Sequence, residues 1–151
     1  MNIFNGTGDQ IVSQWKSLRK EITGINKNER ISKTISFWKY APLVNFVLNY
    51  NEYMRWPTPW DIIHDNFYDS ISIAYLMSQT LLMSGDDESE HEFRYVKIND
   101  ETDYLMILVI NQKYVLNYSY DSVIDISDIN YRNCLIKLKY ENKKLKETSK
   151  I

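Results

Sequence analysis

Cysteine is nearly absent from this chain of 151 residues: Cys134 stands alone. A lone cysteine excludes an intrachain disulfide and a cysteine-based zinc site within one chain. The only two histidines, His64 and His91, exclude a histidine-rich metal site as well. Net charge is almost absent too, at −2, so general attraction to nucleic acid or acidic membrane is not implied. No apolar run approaches the eighteen residues of a membrane span. The opening MNIFNGTGDQ lacks the charged and apolar regions of a signal peptide, which sets the expectation of a cytoplasmic or virion-associated protein. No cofactor, no metal and no membrane partner are expected. Nucleic acid would need a basic face, which only Lys137 to Lys150 offers. There is no internal repeat and no low-complexity segment.

What is present is a globular composition, 44% apolar and 25% charged, with four Trp, five Phe and twelve Tyr. The length predicts one domain, 1–151, with loose ends at 1–9 and 141–151. Asp9 is positioned to cap a helix to about Thr23, in which Ile11, Trp15, Leu18 and Ile22 form one stripe. A second helix starts at Asn28 or Ser32, carries Ile31, Ile35 and Trp38, and breaks or kinks at Pro42. Asn49 to Tyr53 reads as an ordered loop.

The stretch Trp56 to Gly85 organises the rest. Pro57 and Pro59 stiffen its aromatic entry, Asp61 or Asp65 is placed to cap a helix, and Gly85 ends it. That helix is apolar nearly all round, which predicts burial. Asp86 to Glu90 is an acidic run expected to be a solvated loop. The pattern then turns to strands. Phe93 to Ile98 and Tyr104 to Ile110 are candidates; Asn111-Gln112 makes a two-residue hairpin turn into Lys113 to Tyr118. Asp100, Glu101 and Asp103 look like a turn. Asp121 to Asp128 is a connection, Cys134 to Tyr140 a last, edge strand, and Glu141 to Ile151 a frayed tail. Helices first and an antiparallel sheet after them give an α+β fold, the central helix packed on one sheet face.

Ala74, Leu76, Leu81, Leu82 and Gly85 in the helix, and Phe93-Arg94-Tyr95-Val96 after it, resemble transglutaminase-like domains of the papain-like fold. The stations of their next strands fall on Tyr104-Leu105-Met106, Asn111-Gln112, Tyr114 and Asn117-Tyr118-Ser119. The resemblance covers Asp65 to Ser119. It implies a Cys–His–Asp triad at Ser70 (with Tyr68 or Asp69 as the register error), Tyr104 and Asn117. None of the three carries the required group: no thiol, no imidazole, no carboxylate. The expectation is therefore a non-catalytic binding or structural protein, with a protein partner. The FW-x-x-AP stretch from Phe37-Trp38 to Pro42 and the WPTPWD stretch from Trp56 resemble uncharacterised tailed-phage proteins, which adds a virion or assembly role. Tyr50, Tyr53, Trp56 and Trp60 form either a clamp on the core helix or an aromatic binding lip. The alternative is an amidase or acyl-transfer enzyme with a rearranged site, Ser70 with His64 and Asp61 or Asp65. His64 reads more readily as a capping or solvated residue, and His91 as exposed.

Overall fold

A computed structural model describes residues 2–98 and 103–148. Its helices are α1 (Gly8–Ile22), α2 (Lys27–Trp38), α3 (Pro59–Asp65) and α4 (Ser70–Met83). Its strands are β1 (His91–Lys97), β2 (Tyr104–Ile110), β3 (Tyr114–Leu116), β4 (Ile124–Asp125), β5 (Asn133–Glu141) and β6 (Lys144–Glu147). They form one antiparallel sheet in the order β4-β3-β2-β1-β5-β6. This is the α+β arrangement expected.

The first helix starts on Thr7, not Asp9. Thr7 accepts from the Gln10 N–H while the Gln10 side chain accepts from the Thr7 N–H, so two orphan donors are satisfied together. The predicted stripe of Ile11, Trp15, Leu18 and Ile22 is buried. The second helix is capped by Asn26 and ends at Trp38, before Pro42. The long central helix is in fact two. Thr58 caps α3, with Pro59 in its first turn, and Asn66 closes it in the left-handed region at φ 56°. Tyr68 then makes a parallel bridge with Leu43, and Asp69 caps α4.

α4 is buried because it is covered on both sides, by α1 and α2 on one and by the sheet on the other. Its inner polar groups are spent locally. The Thr80 hydroxyl donates to the Leu76 carbonyl and accepts both buried indoles, Trp15 Nε1 at 2.8 Å and Trp38 Nε1 at 3.2 Å. The far sheet face holds a second cluster, Val96, Ile107, Val109 and Val115, covered by Tyr118, Ile126, Ile129 and Tyr131.

Asn111 and Gln112, at φ 56° and 52°, turn β2 into β3 where the sequence suggested, but the connection also takes in Lys113, since Ile110 pairs with Tyr114. Three further expectations fail. β5 is no edge strand, since β6 pairs beyond it. The ends are not loose where described: Phe4 is buried in a short helical turn, and Glu141 to Glu147 lie in β5, a turn and β6. The acidic run is not simply solvated, because the Asp86 side chain is fully buried. The Asp100–Glu101 part of the predicted turn and the tail from 149 onward lie outside the described residues.

Candidate functional site

Ser70 is the first residue of α4, and the sheet is where it docks. Met106 lies past the last β2–β3 pair, Leu108 with Leu116. Its N–H donates to Ser70 Oγ at 3.1 Å. Its carbonyl accepts from Asn117 Nδ2 at 2.8 Å, and the same amide donates to the Ser70 carbonyl at 2.9 Å. Asn117 thus braces the helix start against β2. Its residue type has a physical reason: both partners are acceptors, so the position needs two N–H donors, which a carboxylate lacks. Its φ of 68° also suits Asn.

The Met106 N–H occupies a lone pair of Ser70 Oγ, and no described acceptor takes the Ser70 O–H. Ser70 opens on a cleft of about 700 Å³. Val44, Phe46 and Leu48 form one wall, and Tyr50, Tyr95, Asp103 and Tyr104 the other. Tyr50, Tyr95 and Tyr104 stack in sequence, with ring centroids 4.8 and 5.4 Å apart. The Tyr104 hydroxyl accepts from Asn133 Nδ2 at 2.8 Å. Burial, with Asp69 and Tyr50 nearby, pushes the Tyr95 phenol above its ordinary value.

Asp69 is the acid nearest Ser70 in sequence, and it is committed. One carboxylate oxygen accepts from Ser72 N, the other from Val47 N and Leu48 N at 2.7 and 2.9 Å. It fixes the cleft wall to the helix start.

The structure brings Ser70, Tyr104 and Asn117 to one place and leaves His64 out of it. His64 faces Asp9 on α1 at 2.9 Å and the Trp60 carbonyl at 2.9 Å. The hydrogen bond to Asp9, then that to Trp60, raises its pKa. Asp61 lies in the first turn of α3, which Thr58 caps. The four aromatics do not make one lip. Tyr50 belongs to the Ser70 cleft and Tyr53 to a second cleft. Trp56 binds the Asn49 carbonyl and packs edge-on against Tyr75 and Phe93. Trp60, 40% exposed, packs on Trp15 on the α1 side.

His91 is the residue most misjudged by sequence. It is fully buried, with Nδ1 2.7 Å from Ser78 Oγ and Nε2 2.8 Å from Asp86 Oδ2. The available signal was a serine inside an apolar helix followed by a histidine opening an apolar strand. Cys134 is half-buried on the far sheet face, and its burial raises the thiol pKa.

No family model and no curated protein matches this chain. Solved structures of LapG from Legionella pneumophila do. One covers 93% of this chain and 79% of that one, at 14% identity and a TM-score of 0.77. The calcium-bound form gives 15% identity and 0.73 over the same shares; the EGTA-treated form gives 15% and 0.72 over 87% and 74%. The fold is transglutaminase-like.

On this transglutaminase-like fold the expectation of a non-enzyme is corrected. The neighbours are LapG, a cysteine protease, so the scaffold is one that an enzyme uses. The phage resemblance gains no support from these neighbours. One of the LapG structures is calcium-bound; in this chain no three His, Cys, Asp or Glu among the described residues are grouped to hold a metal.

Proposed function

We propose that the chain is an acyl-transfer enzyme acting on peptide amides, with Ser70 as nucleophile. One observation carries the reading: a hydroxyl whose O–H no described acceptor takes, braced by β2, opens from the N-terminus of a buried helix into a cleft. Ser70 and Ile71 are the first two residues of α4, positions whose N–H groups have no acceptor within the helix. Those donors, with the helix dipole, suit an oxyanion.

The substrate peptide lies between Phe46 and the tyrosine wall. Ser70 Oγ attacks the carbonyl carbon, and its proton passes through one cleft water to Asp103, the exposed carboxylate that lines the same cleft. The C–N bond breaks as Asp103 returns that proton to the leaving amine. Water or a second amine then releases the acyl group from Ser70, its own proton following the same route. A carboxylate is a weaker general base than the imidazole of the usual triad. Turnover is therefore slow.

The test is a panel of peptide p-nitroanilides, amides and activated esters. Wild-type turnover disappears in Ser70→Ala and falls about 10²-fold in Asp103→Asn, the low end of what a positioned base contributes. Turnover that survives Ser70→Ala, or no turnover at all, contradicts the reading.

A further inference from the structure

β6 is the outer strand of the sheet, and a cleft of about 740 Å³ follows it. Five consecutive residues, 143–147, border that cleft. Side chains of a strand alternate between its two faces, so five in a row meet one cavity where it runs along the strand's edge and the backbone itself is open. The other wall is Tyr53 and Met54 of the helical turn Tyr50–Arg55, together with Trp56 and Tyr75.

Register fixes what each residue of β6 offers. Asn142 and Lys143, at φ 53° and 67°, make the two-residue turn from β5, and Glu141 pairs with Lys144. The Thr148 N–H donates to the Lys137 carbonyl at 2.9 Å. Antiparallel pairs alternate between bonded and non-bonded, so Lys144, Lys146 and Thr148 bond inward to β5, while the N–H and C=O of Leu145 point outward. No described backbone group takes them. Leu145 is paired with Tyr140, whose hydroxyl meets Ser78 and Gln79 of α4, so the Leu145 side chain is on the α4 side. Lys144 and Lys146 face the opposite way.

That opposite face is basic, on a chain whose net charge is −2. Lys146 lies directly across from Lys139, and Lys137 and Lys144 share the face. On β1, β5 and β6 its acids are Glu92, which is bound to Arg94, and Glu141, which lies 3.0 Å from Lys146. Like charges directly across two strands are destabilising, and an anion laid against them relieves the repulsion.

We propose that β6 takes an added strand from another polypeptide, with an apolar residue opposite Leu145 flanked on each side by an Asp or Glu. The central residue exchanges both backbone hydrogen bonds with Leu145 and sends its side chain into the cleft, against Met54 and the aromatic wall. Its two neighbours point the other way, beside Lys144 and Lys146. Glu147, on the cleft side, opposes an acid at the alternate positions. A second copy of β6 does not suit this edge. Turned antiparallel about Leu145, it sets lysine against lysine, the means by which edge lysines keep like sheets apart. The surface shares no lining residue with the Ser70 cleft, and its occupancy does not depend on acyl transfer.

Fluorescence anisotropy tests this with a fluorescein-labelled peptide, Thr-Val-Glu-Phe-Glu-Val-Thr. The wild-type protein binds it saturably. The same peptide with Lys in place of both Glu binds about tenfold more weakly or worse, since two cross-strand pairs turn from opposite to like charge. The peptide N-methylated at Phe, which has lost the central N–H, also binds more weakly. The double variant Lys144→Glu/Lys146→Glu reverses the preference and binds the lysine peptide better, an outcome no misfolded protein gives. The peptide comparisons use the wild type, so they decide the matter even where the double variant does not fold. No saturable binding, equal binding of the two peptides, or a double variant that keeps the wild-type preference overturns the proposal. So does an N-methylated peptide that binds as tightly as its parent. A wild-type dimer that Leu145→Pro dissociates assigns the edge to a second copy and overturns it as well.

Discussion

Asn117→Asp restores the acid that transglutaminase-like domains carry at this station, yet it should weaken the protein. Two donated hydrogen bonds disappear, to Ser70 O at 2.9 Å and Met106 O at 2.8 Å. Each is worth about 1 kcal/mol net, and each carbonyl is left facing a charge of its own sign. Together these amount to about 2–4 kcal/mol at neutral pH. The backbone is not the cause, because Asp tolerates positive φ nearly as Asn does. The effect also has a pH signature. The introduced carboxylate, pressed against two acceptors, has its folded pKa raised, since only the protonated form can donate. Its penalty is full above that raised value and shrinks as pH falls towards the unfolded carboxylate value near 3.9. Urea denaturation of both proteins between neutral and mildly acidic pH measures this directly. An Asn117→Asp protein as stable as wild type at pH 7, or a gap that widens on acidification, refutes the brace.

Thr80→Val should cost about 2–4 kcal/mol in the same assay, because two buried indole N–H groups lose their acceptor; a loss below about 1 kcal/mol argues against the shared bond. Leu81→Ala, at a fully buried position, should cost about 2–5 kcal/mol through the cavity it leaves, and a neutral result would remove α4 from the core. Burial pushes the Asp86 carboxyl up, but the His91 hydrogen bond and the charges of His91, Arg30 and Lys27 outweigh it and hold the pKa below the ordinary value. Its stabilisation is therefore present above the unfolded carboxylate pKa and lost as pH falls through the depressed folded one. Asp86→Asn should be destabilised at pH 7, with the gap to wild type closing in acid; parallel pH profiles contradict it.

The elements with a strong period were legible in the sequence. Ile11, Trp15, Leu18 and Ile22 announced α1, and Asn111-Gln112 announced the hairpin. The break at Asn66 was not, because an Asn in the left-handed region looks like any polar residue until the chain turns there. β6 was hidden for a similar reason: lysines facing water carry little apolar signal, and Glu141 to Glu147 gain order from pairing with β5, which is a tertiary effect. At the site, spacing brought Ser70, Tyr104 and Asn117 together, but identity alone suggested a lost triad at Asn117. Its two carbonyl partners, which make it a brace, come from α4 and β2 and are invisible in local sequence. The Ser78–His91–Asp86 chain was missed because a histidine beside an acidic run reads as solvated, whereas Arg30 and Lys27, more than fifty residues away, draw Asp86 inward.

The central claim is that Ser70 is the nucleophile of the α4 cleft. The most direct measurement is intact-protein and peptide mass spectrometry after treatment with a serine-directed fluorophosphonate. One adduct per chain, mapped to Ser70, absent from Ser70→Ala and slowed in Asp103→Asn, is the predicted result. A folded wild-type protein that takes up no label, or takes it up equally after Ser70→Ala, contradicts the account.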